Sequence, residues 1–253
     1  MQRLLRINQT TQSIMDTTTY VALSGEFARD QEMAVLANNI ANMSTPGFKG
    51  ERMMFEEYLA SSPAGNKISY VVQAGNNHDM SQGPITQTGN SLDVALNGVG
   101  WLSVTTPNGT QYTRDGHLEL DPQGELVTSN GYLLQGDGGA PIVVPPNAGQ
   151  VTIAPDGTVA TQQGSIGHIP VVDFANPQLM TAESNGLYNT TEAPQPVTTT
   201  QIMQGAVEGS NIQPVLAMTR LMTAAREMTA AKNFGDAENT RLKTAIERLG
   251  KTV

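Results

Sequence analysis

Asp115, Glu119 and Asp121, within YTRDGHLELDP, come nearest in type and spacing to chemistry, because a carboxylate pair can serve glycoside hydrolysis as acid and base. Asp115 and Asp121, however, sit at turn positions beside Gly116 and Pro122, where aspartate is favoured for its own backbone bonding. Glu119 reads as the exposed face of a strand. The three histidines, His78, His117 and His168, are isolated, without the i, i+4 partner or carboxylate spacing of a metal site. Asp-Gly turns such as Asp115-Gly116 and Asp137-Gly138 suit calcium in type, yet none has the alternating ligands and terminal glutamate of an EF-hand loop. Ser24, Ser44 and Ser81 lack a G-x-S-x-G setting, and no phosphate-cradling glycine loop follows a strand. The residues therefore predict no catalytic, cofactor-binding or metal site, and the enzyme reading is set aside.

Composition leans towards a structural or binding protein. In 253 residues, charged side chains make up only 15% and aromatics 5%, while Gly, Pro, Thr, Asn and Gln are plentiful. A net charge of −9 argues against nucleic acid as a partner, since phosphate neutralisation needs a basic face. No apolar run of about 18 residues exists, so no membrane-spanning segment is expected. There are no cysteines, and Arg3 and Arg6 are not followed by the apolar stretch of a cleaved signal peptide. Charge is unevenly spread. Residues 1–60 hold 5 basic and 7 acidic side chains, residues 61–209 hold 2 and 12, and residues 210–253 hold 7 and 4.

With chemistry thin, the elements themselves carry the reading. LANNIANMSTPGFK, residues Leu36–Lys49, places Asn38, Asn39 and Asn42 in a helical pattern that stops at Ser44-Thr45-Pro46-Gly47. Proline disfavours helix in the residue before it and glycine accepts left-handed angles, so this is a firm helix end. Upstream, Tyr20, Leu23, Phe27, Ala34, Ala37 and Ala41 form one apolar stripe, and Met33, Leu36, Ile40 and Met43 a second. KGERMMFEEYL after it fits a short helix or a strand equally, and residues 46–90 read as an extended connecting region.

From Ser91 the pattern turns to β. SLDVALNGVGWLSV alternates Leu92, Val94 and Leu96 and predicts a hairpin at Asn97-Gly98. Further turns fall at Asp115-Gly116, Asp121-Pro122-Gln123-Gly124, Asn130-Gly131, Asp137-Gly138 and Pro155-Asp156-Gly157, the punctuation of a sandwich or barrel-like domain. GAVEGSNIQPVLAM then leads into a last helix with Leu221, Met228, Gly235, Leu242 and Leu249 seven apart and Ala225 and Ile246 between. The expected fold class is α+β: long N- and C-terminal α-helices forming a coiled-coil-like pair, flanking an inserted all-β domain. The expected segments are a flexible extension at 1–19, a helix at 20–45, the connector at 46–90, the β domain at 91–190, a return connector at 191–210 and a helix at 211–253. A more regular pattern begins at Met15, so the first fourteen residues read as an upstream extension.

Four of these stretches carry a resemblance. Leu36–Lys49 is similar to the asparagine-rich N-terminal signature of the flagellar basal-body rod and hook proteins. SLDVALNGVGWLSV and YTRDGHLELDPQGELVTSNGYLLQG resemble two segments of their β region, and GAVEGSNIQPVLAM resembles the signature ahead of their last helix. MDTTTYVALSG at Met15, the single β domain and the ending KTAIERLGK resemble the proximal-rod members most, and the distal-rod members next. Departures are the residues before Met15, Gly100-Trp101 in place of a smaller aromatic, and Gly235 in the last helix.

The resemblance implies a subunit of the periplasmic rod of the basal body, exported without a cleaved signal peptide by the flagellar type III apparatus. Its partners would be other proximal and distal rod subunits, and no cofactor is implied. Residues Tyr20–Met43 and Ile212–Leu249 would pair in the rod's inner tube. Its assembly interface would comprise Leu23, Phe27, Leu36, Asn38, Asn39, Ile40, Asn42, Pro46, Gly47, Leu221, Met228, Leu242 and Leu249, the asparagines setting helix register. The alternatives are a distal-rod or hook-type subunit, or a secreted β-rich module binding cell-wall glycan.

Overall fold

The computed structural model describes residues 23–61 and 67–250, apart from the side chains at 55, 57–61, 67–74, 238, 242, 246 and 249. The extension expected at 1–19 lies outside the described residues. Helix α1 covers residues 23–41. Strands β1 (Glu51–Ser61) and β2 (Lys67–His78) follow, and helix α2 (Pro214–Gly250) closes the chain. These four elements form one compact unit, and residues 41–50 and 78–213 form a second.

In the first unit β1 and β2 make a two-stranded sheet, so KGERMMFEEYL is a strand and not a short helix. The expected coiled-coil-like pair of long terminal helices is contradicted. α1 is short, 23–41 among the described residues, beside the 37 residues of α2. Two seam positions of α1, Leu23 and Phe27, stay 57% and 63% exposed. The physical reason lies in the stripe itself: Ala34, Ala37 and Ala41 offer little apolar area to bury, and Glu26, Asp30 and Glu32 interrupt it. Arg29 of α1 pairs with Glu227 of α2, but both are half-exposed and such a pair contributes at most about 1 kcal/mol. α2 buries Ala217 and Ala224 and half-buries Leu221 and Met228, one face at heptad-like spacing, while Val215, Met222 and Phe234 face solvent.

The second unit is all β. Its strands are β3 (Ile85–Gln87), β4 (Val94–Asn97), β5 (Trp101–Thr106), β6 (Gly109–Thr113), β7 (Leu118–Leu120), β8 (Leu126–Thr128) and β9 (Leu133–Leu134). β10 (Thr152–Ile153), β11 (Thr158–Thr161), β12 (Gly164–His168), β13 (Val171–Asp173), β14 (Thr181–Ala182) and β15 (Leu187–Asn189) follow. β16 (Gln195–Pro196), β17 (Gln201–Gln204) and β18 (Ala206–Glu208) complete it. A nine-stranded sheet runs β14-β15-β6-β5-β9-β8-β7, with β13 and β16 joined to it through β5, and β10-β11-β12 form a second sheet. The hairpins expected at Asp121–Gly124, Asn130-Gly131 and Pro155–Gly157 connect β7 to β8, β8 to β9 and β10 to β11.

Asn97-Gly98 does not make the hairpin its sequence predicts. β4 pairs with β17, and β5 pairs with β6, β9 and β13, so the chain leaves one sheet and enters another at this turn. The cause is burial and crowding. Val94, Ala95 and Leu96 are all buried, and a Cβ at Gly100 would lie 2.5 Å from Val171 Cγ1, where β13 takes the flank a hairpin partner would occupy.

One apolar core joins Val94 and Leu96, Leu102 and Val104, Leu118, Leu126, Leu134, Ile142, Ile153, Val159, Ile169, Leu187 and Ile202. A smaller aromatic cluster packs Trp101 on Tyr188 at 4.7 Å and Tyr112 on Phe174 at 4.7 Å, with Met180. Leu120 and Leu126 stand directly opposite across β7 and β8, yet Leu126 is fully buried and Leu120 is 42% exposed. Urea unfolding should therefore show Leu126→Ala costing about 2 to 5 kcal/mol and Leu120→Ala about 0.5 kcal/mol. Equal losses would place the core elsewhere.

Candidate functional site

The firm stop after Asn42 is built as the sequence suggests. Thr45 returns its N–H to the Asn42 carbonyl at 3.1 Å and its hydroxyl to Asn42 Oδ1 at 3.2 Å, ending α1. Gly47 then takes φ +67°, and a Cβ there would lie 2.4 Å from the Arg114 carbonyl carbon, so the position requires glycine twice over. Its N–H donates to the Glu208 carbonyl at 2.8 Å. The chain is thereby delivered to the centre of the second unit.

There, Lys49, Arg114 and Glu208 form a buried ion triad, exposed by 1%, 6% and 0% respectively. Lys49 Nζ donates to Glu208 Oε1 at 2.7 Å and Arg114 Nη1 to Oε2 at 3.0 Å. Gly83 N–H adds a third donor to Oε1 at 2.9 Å, so both carboxylate oxygens are filled. Lys49 Nζ also reaches the Ser81 carbonyl at 2.8 Å, Arg114 Nη2 reaches the Gly98 carbonyl at 2.9 Å, and the guanidinium lies 5.6 Å from the Trp101 ring centre. Burial pushes the Lys49 ammonium below the ordinary lysine value of 10.5, and Glu208 pulls it back up. Desolvation offsets most of what such a cluster gains in attraction, but removing one member strands a buried charge and costs about 3 to 5 kcal/mol. The triad is thus a device for specifying geometry more than for adding stability.

Asn211 completes the arrangement. Its Oδ1 accepts from Gly50 N–H at 2.8 Å, its Nδ2 donates to the Asp79 carbonyl at 2.7 Å, and its own N–H donates to the Phe48 carbonyl at 3.3 Å. Three chain segments far apart in sequence, 47–50, 79–84 and 208–212, are held by one another here.

Of the residues singled out by sequence, Asn39 is buried in the first unit and pairs with the backbone of Glu51 in both directions. Its Nδ2 donates to the carbonyl at 2.7 Å and its Oδ1 accepts the N–H at 2.9 Å, like one rung of a sheet. Asn42 caps the helix, and Asn38 is exposed on it. Leu36, Ile40, Pro46, Leu221 and Met228 are half-buried, while the side chains of Leu242 and Leu249 lie outside the described residues. The structure brings Gly47 to Arg114 and Glu208, which sequence reasoning missed as partners. A signal was present: Arg114 is one of only two lysine or arginine residues between 61 and 209.

The carboxylates considered for chemistry are turn formers. Asp121 Oδ1 accepts from Gln123 and Glu125 N–H, Asp115 Oδ1 accepts from His117 N–H, and Glu119 is exposed. His117 Nδ1 sits 2.8 Å from the buried Asp93, whose carboxylate also accepts from Thr88 and Asn90. Burial raises the Asp115 carboxyl above 3.8, the hydrogen bond from His117 opposing it. A raised folded value means its stabilising contribution is complete below pH 3.8 and is lost as pH rises through that folded value. Denaturation from below pH 3.8 to neutrality should show Asp115→Asn gaining on the parent chain as pH rises, and a pH-independent difference would refute the assignment.

Comparison with known proteins follows this geometry closely. Residues 20–49 match the family model described as flagella basal body rod protein, ending at Lys49. Residues 95–161 match the flagellar hook protein FlgE/F/G D1 domain, which includes Arg114, and residues 203–231 match the flagellar basal body rod FlgEFG protein C-terminal region, which includes Glu208 and Asn211. The flagellar basal-body rod protein FlgF of Caulobacter vibrioides is 38% identical over 244 residues, covering 94% of this chain and 99% of the relative. FlgF of Mesorhizobium japonicum is 33% identical, covering 93% and 99%. The rod protein FlgG of Buchnera aphidicola is 33% identical, covering 78% and 86%. The chain, whose joint, β unit and return segment each match a part of that family and meet at one buried triad, belongs to the flagellar basal-body rod proteins.

Proposed function

We infer that this chain is a non-enzymatic structural subunit of the flagellar basal-body rod, of the proximal-rod type. The observation that carries this reading is end-to-end similarity to rod proteins called FlgF, at 38% identity over 99% of one such relative. The β unit supplies a stable body with its own core, and the terminal helices supply the surfaces through which neighbouring rod subunits are contacted. Exposed apolar side chains on those helices support this: Leu23 and Phe27 on α1, and Val215, Met222 and Phe234 on α2. Leu36, Ile40, Leu221, Met228, Leu242 and Leu249 extend the same interface, with Asn38, Asn39 and Asn42 setting where α1 ends relative to it. No helix among the described residues is long and apolar enough to cross a membrane. Delivery to the rod through the flagellar type III apparatus completes the reading.

Expression of tagged chain in a strain lacking its own proximal-rod subunit, followed by isolation of basal bodies, tests the proposal. The full chain should restore motility and co-purify with the rod, and deletion of Val215–Val253 should abolish both. Phe27→Glu and Met222→Glu, which alter exposed positions, should lower incorporation at least about tenfold while leaving the unfolding midpoint within the small range typical of surface changes. Wild-type incorporation of both variants would rule out the helical faces as the contact surface.

A further inference from the structure

We infer that Glu208 and Asn211 act as a completion clasp: residues 45–50 become ordered only when the return segment 208–212 has arrived, in a cooperative step separate from formation of the β core. The joint has little local support. Its backbone makes two local bonds, Thr45 N–H to the Asn42 carbonyl at 3.1 Å and Phe48 N–H to the Thr45 carbonyl at 3.4 Å. Beyond these, Gly47 N–H and the Lys49 ammonium reach Glu208 and Gly50 N–H reaches Asn211 at the far end of the chain. Lys49 also bonds the Ser81 carbonyl and the Tyr188 hydroxyl, and the Gly50 carbonyl accepts from Asp79, itself tied to Asn211. The segment 79–84 is tied in the same way, through Gly83 N–H to Glu208 Oε1, Gly209 N–H to the Pro84 carbonyl, and the Asn211 amide to Asp79.

Electrostatics makes closure all-or-none. Without Glu208, Lys49 and Arg114 would be two buried cations facing each other, an arrangement that excludes Lys49 from its site. With Glu208 in place, that site becomes the favourable one. The main core and the aromatic cluster contain no residue of 41–50, so the β body has its own apolar support whether or not the joint is closed. Such a partition is what a separate cooperative unit within one domain requires. The consequence is that a chain lacking its C-terminal return segment keeps its N-terminal joint open, and the two ends become fixed together. This holds whether or not the rod is the final destination.

Hydrogen exchange by mass spectrometry on the full chain tests it with Glu208→Gln and Asn211→Ala. In both variants, peptides covering 45–51 and 79–84 should exchange at least about a hundredfold faster, while peptides over β5 and β6 keep their protection. Asn211→Ala creates no buried charge imbalance and supplies the reading if Glu208→Gln yields too little folded protein. Unchanged protection over 45–51 would overturn the clasp. Parallel loss over β5 and β6 would overturn it as well, by making the joint part of the core.

Discussion

Glu208 holds two cations and two chain ends at once, and the rest of the second unit is arranged to permit that. A fully buried carboxylate with Lys49 on one oxygen and Arg114 on the other needs its charge matched by close donors, since unpaired charge in the interior costs several kcal/mol, and of the guanidinium only Nε is left without a partner. Gly83 has to approach closely enough to donate, and a Cβ there would lie 2.0 Å from the Gly209 carbonyl oxygen. Gly47 has to pass over Arg114, which leaves no space for a side chain. Trp101 has to floor the guanidinium. The turn at Gly98 has to offer its carbonyl, which helps explain why β4 and β5 part company there instead of forming a hairpin.

The same interaction shapes the outer surface. Between residues 78 and 213 the sequence contains one basic residue, Arg114, and the joint 41–50 adds one more, Lys49. Both are consumed inside the triad, so the exterior of the β unit presents carboxylates and no lysine or arginine. A surface of one charge sign favours solubility. Residues 210–253, by contrast, carry 7 basic against 4 acidic side chains. The charge asymmetry visible in the sequence therefore has a structural cause, a buried sink for the middle segment's few cations.

Much of this was legible beforehand, and the limits are physical. Turns were legible because Asp-Gly, Asn-Gly and Pro-Asp-Gly encode backbone angles locally: Asp121–Gly124, Asn130-Gly131 and Pro155–Gly157 all fall at chain reversals. The stop after Asn42 was legible for the same reason. Pairing was not, since Asn97-Gly98 fixes a turn but says nothing of which strands lie beside it, and β13, some 70 residues on, decides that. Nor was the triad, because residue type and spacing reveal local constellations, whereas Lys49 and Glu208 are 159 residues apart. The coiled-coil expectation failed on magnitude: periodicity located the right face of α2, with Leu221 and Met228 on it, but alanines supply too little area on α1 to bury the rest.

That failure bears on how the helical ends hold their shape. A long helix gains most of its stability in a protein from burying an amphipathic face, not from propensity. α2 fully buries only Ala217 and Ala224 among its described side chains. Thr219, Thr223, Thr229, Thr240 and Thr244 each return a hydroxyl to the carbonyl four residues earlier, which satisfies the hydroxyl. The exposed surface of the helix mixes these threonines, Met222 and Phe234 with charged side chains such as Arg226, Lys232 and Lys243. The threonine hydroxyls bring no unmet hydrogen bond to a covering surface, whereas the charged side chains would need partners there. The β body is complete in one chain, whereas the helical ends keep large apolar side chains, Leu23, Phe27, Val215, Met222 and Phe234, in solvent.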